Sequence, residues 1–176
     1  MKRQLSVWVL IAAIFLTACQ SGSVTGEVFT SEAGEFSIAT PAPLEETQQS
    51  VETPAGPVEI YTFTAEAEET AYVVAYSDYP PAMVNEVDPQ ELLDSSRDGA
   101  VANLGGTLEN EEVIDLNGNP GRSLVISTSA NQAQSATINS RIYLVDNRLY
   151  QILVVTPAGA DATESSAAFL DSFNLE

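Results

Sequence analysis

The chain has 176 residues, and 44% of them are hydrophobic, which is enough for one domain with a buried core. It contains no histidine and its one cysteine is Cys19, so Ser-His-Asp and Cys-His nucleophile systems and His/Cys zinc sites are excluded. Its formal charge of −19 repels nucleic acid and anionic lipid headgroups, so neither is expected as a ligand.

Residues 1–18 have the pattern of a secretory signal peptide. Two basic residues, Lys2 and Arg3, precede an apolar run from Leu5 to Leu16. The run is about 12 residues long, whereas a membrane-spanning helix needs about 20. The next residues complete the tetrapeptide Leu-Thr-Ala-Cys, which ends at Cys19 and resembles the lipobox of bacterial lipoproteins.

The lipobox resemblance implies a mature protein that begins at Cys19 and carries lipid, such as palmitate, on that cysteine. Lipid on Cys19 would anchor the chain to a membrane of the cell envelope, facing the periplasm or the exterior, without crossing the bilayer. Residues 19–27 then form the lipidated cysteine and a flexible polar tether. The remaining residues, 28–176, are predicted to form a single domain.

The part of the chain after the signal is strongly acidic. It contains four arginines and 25 acidic residues, a side-chain charge of −21. The only lysine is Lys2 in the signal, so Ser-Lys dyads, Schiff-base chemistry and a phosphate-loop lysine are excluded. The acids are scattered along the chain, a pattern typical of solubility; the alternative is attraction of a basic partner or of loosely held cations.

The first half of the domain is predicted to be a β-meander. Runs of β-branched and aromatic residues indicate the strands, and proline-containing turns separate them. The predicted strands are Phe36–Ala39, an edge strand Glu45–Thr53, Val58–Thr64 and Ala71–Ser77.

A helix and a hairpin follow. Asp88 as the N-cap and Pro89 at the first helical position predict a helix Pro89–Leu104, which the Gly-Gly pair at 105–106 ends. Asn117-Gly118 is the preferred two-residue hairpin turn, and it joins predicted strands at 108–116 and 121–128.

A second hairpin has strands at 136–145 and 148–156 with a turn at Asp146-Asn147. Neither of its faces is simply polar, so these strands are predicted to be central and covered on both sides. One face carries Ile138, Ile142, Leu144, Leu149, Leu153 and Val155, and the other carries Arg141, Tyr143, Val145, Tyr150, Ile152 and Val154.

A capping box that begins at Asp161 predicts a last helix as far as about Ser172, with Phe173 and Leu175 packed beneath it. Antiparallel hairpins together with two helices indicate an α+β fold. The expected architecture is an antiparallel sheet with a helix packed on each face, an α-β-α sandwich.

The same order of elements resembles the PsbP/Mog1-like domains, including bacterial lipoproteins of that superfamily with DUF1795-type domains. The segments that carry the resemblance are Arg-Ile-Tyr-Leu-Val at 141–145, Leu-Tyr-Gln-Ile-Leu-Val at 149–154 and Phe-Leu-Asp-Ser-Phe at 169–173. The resemblance spans residues 28–176 and implies the α-β-α sandwich. It also implies a role in binding or assembly rather than catalysis.

Two clusters of tyrosines, each with one charged residue, are candidate binding surfaces. In the first, two tyrosines flank an aspartate before a Pro-Pro pair; they either line a recognition surface or pack on the sheet at a strand end. In the second, an arginine near two tyrosines either clamps a carboxylate or forms an internal salt bridge. The candidate residues are Tyr76, Asp78 and Tyr79 in the first cluster and Arg141, Tyr143 and Tyr150 in the second.

Pairs of carboxylates of the kind that glycosidases use are not a specific sign of catalysis here, because among 25 acidic residues some pairs are expected by chance. The segment from Asp115 to Pro120 mimics the start of a calcium loop, but Pro120 stands where that loop needs glycine and Ile126 where it needs glutamate, so a β-turn explains it better. No metal site and no cofactor are therefore predicted.

The function that these features predict is a non-catalytic binding or assembly domain at the cell envelope, anchored through Cys19, with a protein of the envelope as its partner. The first alternative is a lipoprotein that binds a small molecule or a cation near Arg141. The second alternative is a carboxylate-dependent hydrolase.

Overall fold

The structure, a computed structural model, describes residues 26–53, 56–129, 135–160 and 163–176. The predicted signal peptide, Cys19 and most of the tether lie outside the described residues, as do parts of the predicted turn at 54–57 and of the loop at 129–135. The predicted start of the last helix at Asp161 also lies outside them.

The chain forms ten strands and three helices within these residues. Strands β1 to β5 are Glu27–Ser31, Phe36–Thr40, Glu45–Thr53, Gly56–Ala67 and Thr70–Asp78. Helices α1 and α2 are Pro81–Glu86 and Pro89–Leu104, and strands β6 to β9 are Gly106–Leu116, Asn119–Thr128, Ala136–Val145 and Arg148–Pro157. Helix α3 is Thr163–Asp171, and β10 is Asn174–Leu175.

Seven of the strands form one antiparallel sheet in the order β3-β4-β5-β9-β8-β7-β6. The two predicted hairpins are present, and β9 joins them to the N-terminal strands by pairing with β5. Asn117 and Gly118 have positive φ angles of 55° and 90°, as the predicted turn requires. Helix α2 has the predicted bounds, with the Asp88 carboxylate accepting a hydrogen bond from the Gln90 N–H at 2.8 Å.

A second sheet corrects the prediction of a simple meander. Strand β2 does not continue into β3; it pairs with β1 on one side and with β10 on the other, in the order β1-β2-β10. The short elements β1, β10 and α1 were not predicted. Strands of five and two residues carry little periodicity of their own, and their partners lie far away in the sequence, so long-range pairing defines them.

The two faces of the large sheet have different covers. On the aliphatic face, which is the face that packs against α2, the buried residues are Leu124, Ile126, Ile138, Ile142, Leu144 and Leu149, together with Leu92 and Leu93 of the helix. On the aromatic face, which is the opposite one, α3 and the small sheet cover Phe63, Tyr72, Val74, Tyr76, Tyr143, Tyr150, Ile152 and Val154.

This arrangement confirms the face assignment of the second hairpin and revises the α-β-α sandwich. The sheet is antiparallel and carries a long helix on the aliphatic face. The aromatic face, however, is covered by a second sheet as well as by the nine-residue α3. The fold is therefore richer in sheet than a sandwich with a helix on each face.

No helix of the described part of the chain is long and apolar enough to cross a membrane.

Phe36 joins the two sheets. Its side chain is fully buried, and its ring lies 5.4–6.5 Å from the rings of five aromatic residues, contributed by strands of both sheets and by the segment after α3. These residues are Phe29, Phe63, Tyr76, Tyr150 and Phe173.

We expect Phe36→Ala to lower the free energy of unfolding by about 3–5 kcal/mol, because it leaves a large cavity between packed sheets. Urea denaturation followed by far-UV circular dichroism measures the loss. The matched control is Val113→Ala, which truncates a side chain that is 75% exposed and should change stability by less than about 0.5 kcal/mol. A loss of less than about 1 kcal/mol for Phe36→Ala would show that this ring does not hold the sheets together.

Candidate functional site

The first predicted cluster is held by Arg148. Its guanidinium donates to both carboxylate oxygens of Asp78, from Nε at 2.6 Å and from Nη2 at 2.9 Å. Nη1 donates to the Ala33 carbonyl at 3.1 Å and to a Glu35 carboxylate oxygen at 3.2 Å. The guanidinium carbon also lies 4.7 Å from the centre of the Tyr76 ring, within the range of a cation–π contact.

This network uses four of the five N–H donors of Arg148. The hydrogen bonds that Arg148 donates to the Asp78 carboxylate raise the pKa of Arg148 still further above its ordinary value, so the guanidinium is charged at every accessible pH. Its partners come from the β1–β2 turn, from the end of β5 and from β9. The cluster therefore fixes the small sheet to the end of the large one, and leaves few donors for a ligand.

Three of the six candidate residues lie in the core rather than on a surface. Tyr76, Tyr143 and Tyr150 are 3%, 4% and 1% exposed. The Tyr150 hydroxyl donates to the Gly34 carbonyl at 2.7 Å, and the Tyr143 ring stacks on Phe173 with centroids 6.2 Å apart. Of the two interpretations that the sequence left open for Tyr76, the structure has the ring packed on the sheet, and the rings of Tyr143 and Tyr150 are covered too, because β5, β8 and β9 are central strands that present them to the covered face.

Tyr79 lies apart from the other candidates. It packs against the aliphatic-face core, while Tyr76 packs in the aromatic-face core. Its backbone N–H donates to the Asn147 carbonyl at 2.8 Å, and the Asn147 side chain donates back to the Tyr79 carbonyl at 2.9 Å. These two bonds tie the segment before α1 to the β8–β9 turn, so the two tyrosines that flank Asp78 do not share a surface.

Arg141 forms the internal salt bridge that was one of its two predicted roles. Its Nη1 donates to the Leu170 carbonyl at 3.0 Å, and its Nη2 is paired with Asp171. Both partners lie in the last turn of α3, where a cation also interacts favourably with the helix dipole. Arg141 borders a cavity of about 300 Å³ between α3 and the strands β7, β8 and β9.

A third cluster was not predicted from the sequence. Arg97 and Arg122 both bond the Glu111 carboxylate, at 3.0 Å, and both contact Asp94. The four residues lie between α2 and the β6–β7 hairpin on the aliphatic face, and Arg122 is 6% exposed. Apart from Arg97 and Asp94, which are three positions apart on α2, the pairs join residues 11 to 28 positions apart, so no local spacing signals the network as a whole. The two carboxylates are matched by two cations, as in a structural ion-pair network.

The other chemistry considered from the sequence finds little support. Among the described residues, no group of three or more acidic or cysteine side chains could hold a metal ion. The Asp115 carboxylate accepts a hydrogen bond from the Gly118 N–H at 2.9 Å, the geometry of a turn.

Burial raises the pKa values of Tyr76, Tyr79, Tyr143 and Tyr150 above the ordinary value of 10.0, because the ionised phenolate loses its hydration. A nearby arginine partly offsets the rise at Tyr76, Tyr143 and Tyr150. The folded state therefore holds these phenol protons more tightly than the unfolded state does, and the resulting stability is present below pH 10 and lost above it.

We expect the free energy of unfolding to fall above about pH 10, by up to about 1.4 kcal/mol per pH unit for each tyrosine that ionises only on unfolding. Urea denaturation at a series of alkaline pH values, with tyrosinate absorbance as a second signal, measures the slope. Tyr143→Phe removes one titrating group and should make the slope shallower. A stability that stays constant between pH 9 and pH 11 would contradict the burial of these hydroxyls.

Comparison with known proteins gives a likeness of fold. No protein-family model matches the sequence, and no curated protein sequence matches it significantly. Among solved structures, a crystal structure from Bacteroides thetaiotaomicron has 13% identity and a TM-score of 0.48, over 86% of this chain and 48% of that one. A protein of unknown function from Pseudomonas aeruginosa, described as a putative regulator, has 10% identity and a TM-score of 0.39, over 82% and 91% of the two chains.

The solution structure of cyanobacterial PsbP (CyanoP) from Synechocystis sp. PCC 6803 matches with a TM-score of 0.59 and 12% identity, over 92% of this chain and 99% of that chain. At this identity the match concerns the fold. It agrees with the resemblance that the sequence carries in residues 141–145, 149–154 and 169–173. The chain therefore has a PsbP-like fold.

Proposed function

We propose that this chain is an extracytoplasmic lipoprotein, anchored through lipid on Cys19, whose domain binds a protein of the cell envelope and catalyses no reaction. The lipobox resemblance supports the anchor, and the PsbP-like fold fits a binding or assembly domain. The observation that carries the binding role is the position of strand β3 at the edge of the large sheet, where it pairs only with β4 among the described strands.

The anchor would keep the domain close to the membrane. Gly26, where the described part of the chain begins, lies seven residues after Cys19, so a fully extended tether spans at most about 25 Å. A domain held within this distance of the membrane meets membrane-bound partners at a high effective concentration, so that a weak contact suffices for assembly.

Most of strand β3 is exposed, and the strand lies at one edge of the large sheet. It is nine residues long, eight of them are exposed, and within the described residues it pairs only with β4. All nine of its residues pair with β4 in register, so its outer edge is regular and long enough to accept another strand.

The opposite edge of the sheet is less suited to pairing. Strand β6 shifts register between Leu108 and Asn110, a bulge of the kind that blunts an edge. Two sheet edges of similar length thus differ in regularity. This contrast favours β3 as the edge that takes part in recognition.

Charge indicates what kind of strand would pair there. Residues 26–96 contain 15 acidic residues and no lysine or arginine, and three of the acids, Glu45, Glu46 and Glu52, lie on β3 itself. Two copies of β3 would repel each other, whereas an extended basic segment would be attracted. The proposed partner is therefore an envelope protein that presents such a segment to β3.

The alternatives gain different amounts of support. For a hydrolase, the two carboxylates that share Arg97 and Arg122 are those of Asp94 and Glu111, and both are bound to these arginines, which does not favour acid–base catalysis by that pair. The small-molecule alternative has a separate basis in the cavity beside Arg141.

A photo-crosslinking amino acid at Gln49 of β3, in membrane-anchored protein expressed in its own cells, should yield one dominant covalent adduct with an envelope protein. The same amino acid at Val113, which is exposed on β6, should yield no such adduct. The adduct, identified by mass spectrometry, should map to a basic extended segment of the partner.

Matched double variants test whether the acidic residues of β3 attract the partner. Glu46→Lys with Glu52→Lys should reduce the Gln49 adduct about ten-fold or more, because two charge reversals at the contact remove the attraction. Glu86→Lys with Glu112→Lys makes the same change of net charge at exposed sites elsewhere and should leave the adduct intact. Equal loss in both double variants, or no adduct at Gln49, would refute β3 as the recognition edge.

A further inference from the structure

A polar cavity lies under α3, at the end of the aromatic face that the aromatic rings do not fill. It has a volume of about 300 Å³, and α3 faces the strands β7, β8 and β9 across it. Its floor is built by cross-strand neighbours, since Ser123 pairs with Arg141 and Thr137 pairs with Thr156. The cavity opens to solvent beside Thr163 and Ala167, which are exposed.

A hydroxyl without a partner lines this cavity. Ser166 of α3 is 3% exposed, and its Oγ makes no hydrogen bond with the part of the chain that the structure describes. A buried hydroxyl left in this state costs about 1–3 kcal/mol, so a molecule that bonds it from within the cavity is favoured. A cavity with polar walls holds water or ligand, in contrast to an apolar cavity, which stays empty.

The floor has more hydrogen-bonding groups than the fold uses. The Thr156 hydroxyl donates to the Thr137 carbonyl at 3.2 Å. The side chains of Ser123 and Asn139, in contrast, form no hydrogen bond with other described residues, although both face the cavity. On this face β8 changes from Thr137, Asn139 and Arg141 at one end to Tyr143 at the other, so polar groups stand where the sheet could have continued its aromatic core.

We propose that this cavity binds a small uncharged molecule rich in hydroxyl or amide groups, of the size of one monosaccharide ring. The described lining has hydroxyls, one amide and one guanidinium, and no carboxylate. These groups pair with hydroxyl and amide groups in both directions, as donors and as acceptors. The volume lies at the lower end of the range for ligand sites.

Charge decides between neutral and ionic ligands. A cation would find no carboxylate among the described lining residues. An anion would approach through the field of a mature chain with a side-chain charge of −21, and the one guanidinium at the site is already balanced by Asp171. A neutral ligand meets neither penalty, and Arg141 can still donate to one of its oxygens.

This site goes beyond the proposed function and does not depend on it. Strand β3 is at the far edge of the large sheet, and β4 and β5 separate it from the cavity strands β9, β8 and β7. Partner binding at β3 and ligand binding under α3 can therefore succeed or fail independently.

The test uses three sugars with the same ring and different charge: N-acetylglucosamine, which is neutral, glucuronate, which is an anion, and glucosamine, which is a cation. Each is titrated into the isotope-labelled chain, as recovered from the expressing cells in mild detergent, and amide chemical shifts are followed. We expect saturable shifts in α3, β7 and β8 with N-acetylglucosamine, at least about ten-fold tighter than with either charged sugar.

Two variants test the residues. Ser166→Ala should not lower the thermal midpoint, because it removes a buried hydroxyl that has no partner to lose, and it should weaken binding about five-fold. Ser166→Leu should fill the cavity and abolish binding. The matched control Ser50→Ala, at an exposed site on β3, should bind as the unaltered chain does.

Several outcomes would overturn the proposal. Absence of saturable binding of N-acetylglucosamine, or binding that Ser166→Leu does not affect, would mean that the cavity holds solvent only. Tighter binding of glucuronate or of glucosamine would show that charge, and not neutral hydrogen bonding, governs the site.

Discussion

The burial of Phe36 between two sheets is the contact on which the rest of the structure depends. Its ring meets residues of both sheets and the segment that follows α3. Strand β2, which carries it, pairs with the first and the last strands of the described fold. The point where the chain enters the domain and the point where it ends are therefore held by one strand, and the predicted tether leads directly into that strand's partner β1.

Sequence reasoning succeeded where the signal is local. An N-cap aspartate before proline, a left-handed glycine and an Asn-Gly turn each specify a backbone geometry within a few residues, and they predicted α2 and the β6–β7 hairpin. It failed where contacts are distant. The small sheet, the Arg97–Arg122 network and the cavity under α3 arise only when remote segments meet, and the sequence left the placement of Tyr76 open because its exposure depends on which strands are central.

The positions of the charged residues follow from the arrangement of the two sheets and the helices. Each of the four arginines of the described chain is engaged in ion pairs that join different elements, and two of them lie on each face of the large sheet. The acids outnumber these cations, and residues 26–96 contain no lysine or arginine. The sheet edge at β3 is consequently negative, and among the described strands β3 pairs only with β4; these two properties are the basis for the proposal of a basic extended segment as its partner.

The central claim is that Cys19 anchors this domain to a membrane and so brings β3 to its partner. Mass spectrometry of the N-terminal peptide of the chain recovered from membranes tests it most directly. We expect an N-terminal peptide that begins at Cys19 and is heavier by a diacylglycerol group. In the Cys19→Ser variant, both this lipidated peptide and the membrane association of the protein should be lost. A peptide that retains Met1, or an unmodified Cys19 in membrane-bound protein, would contradict it.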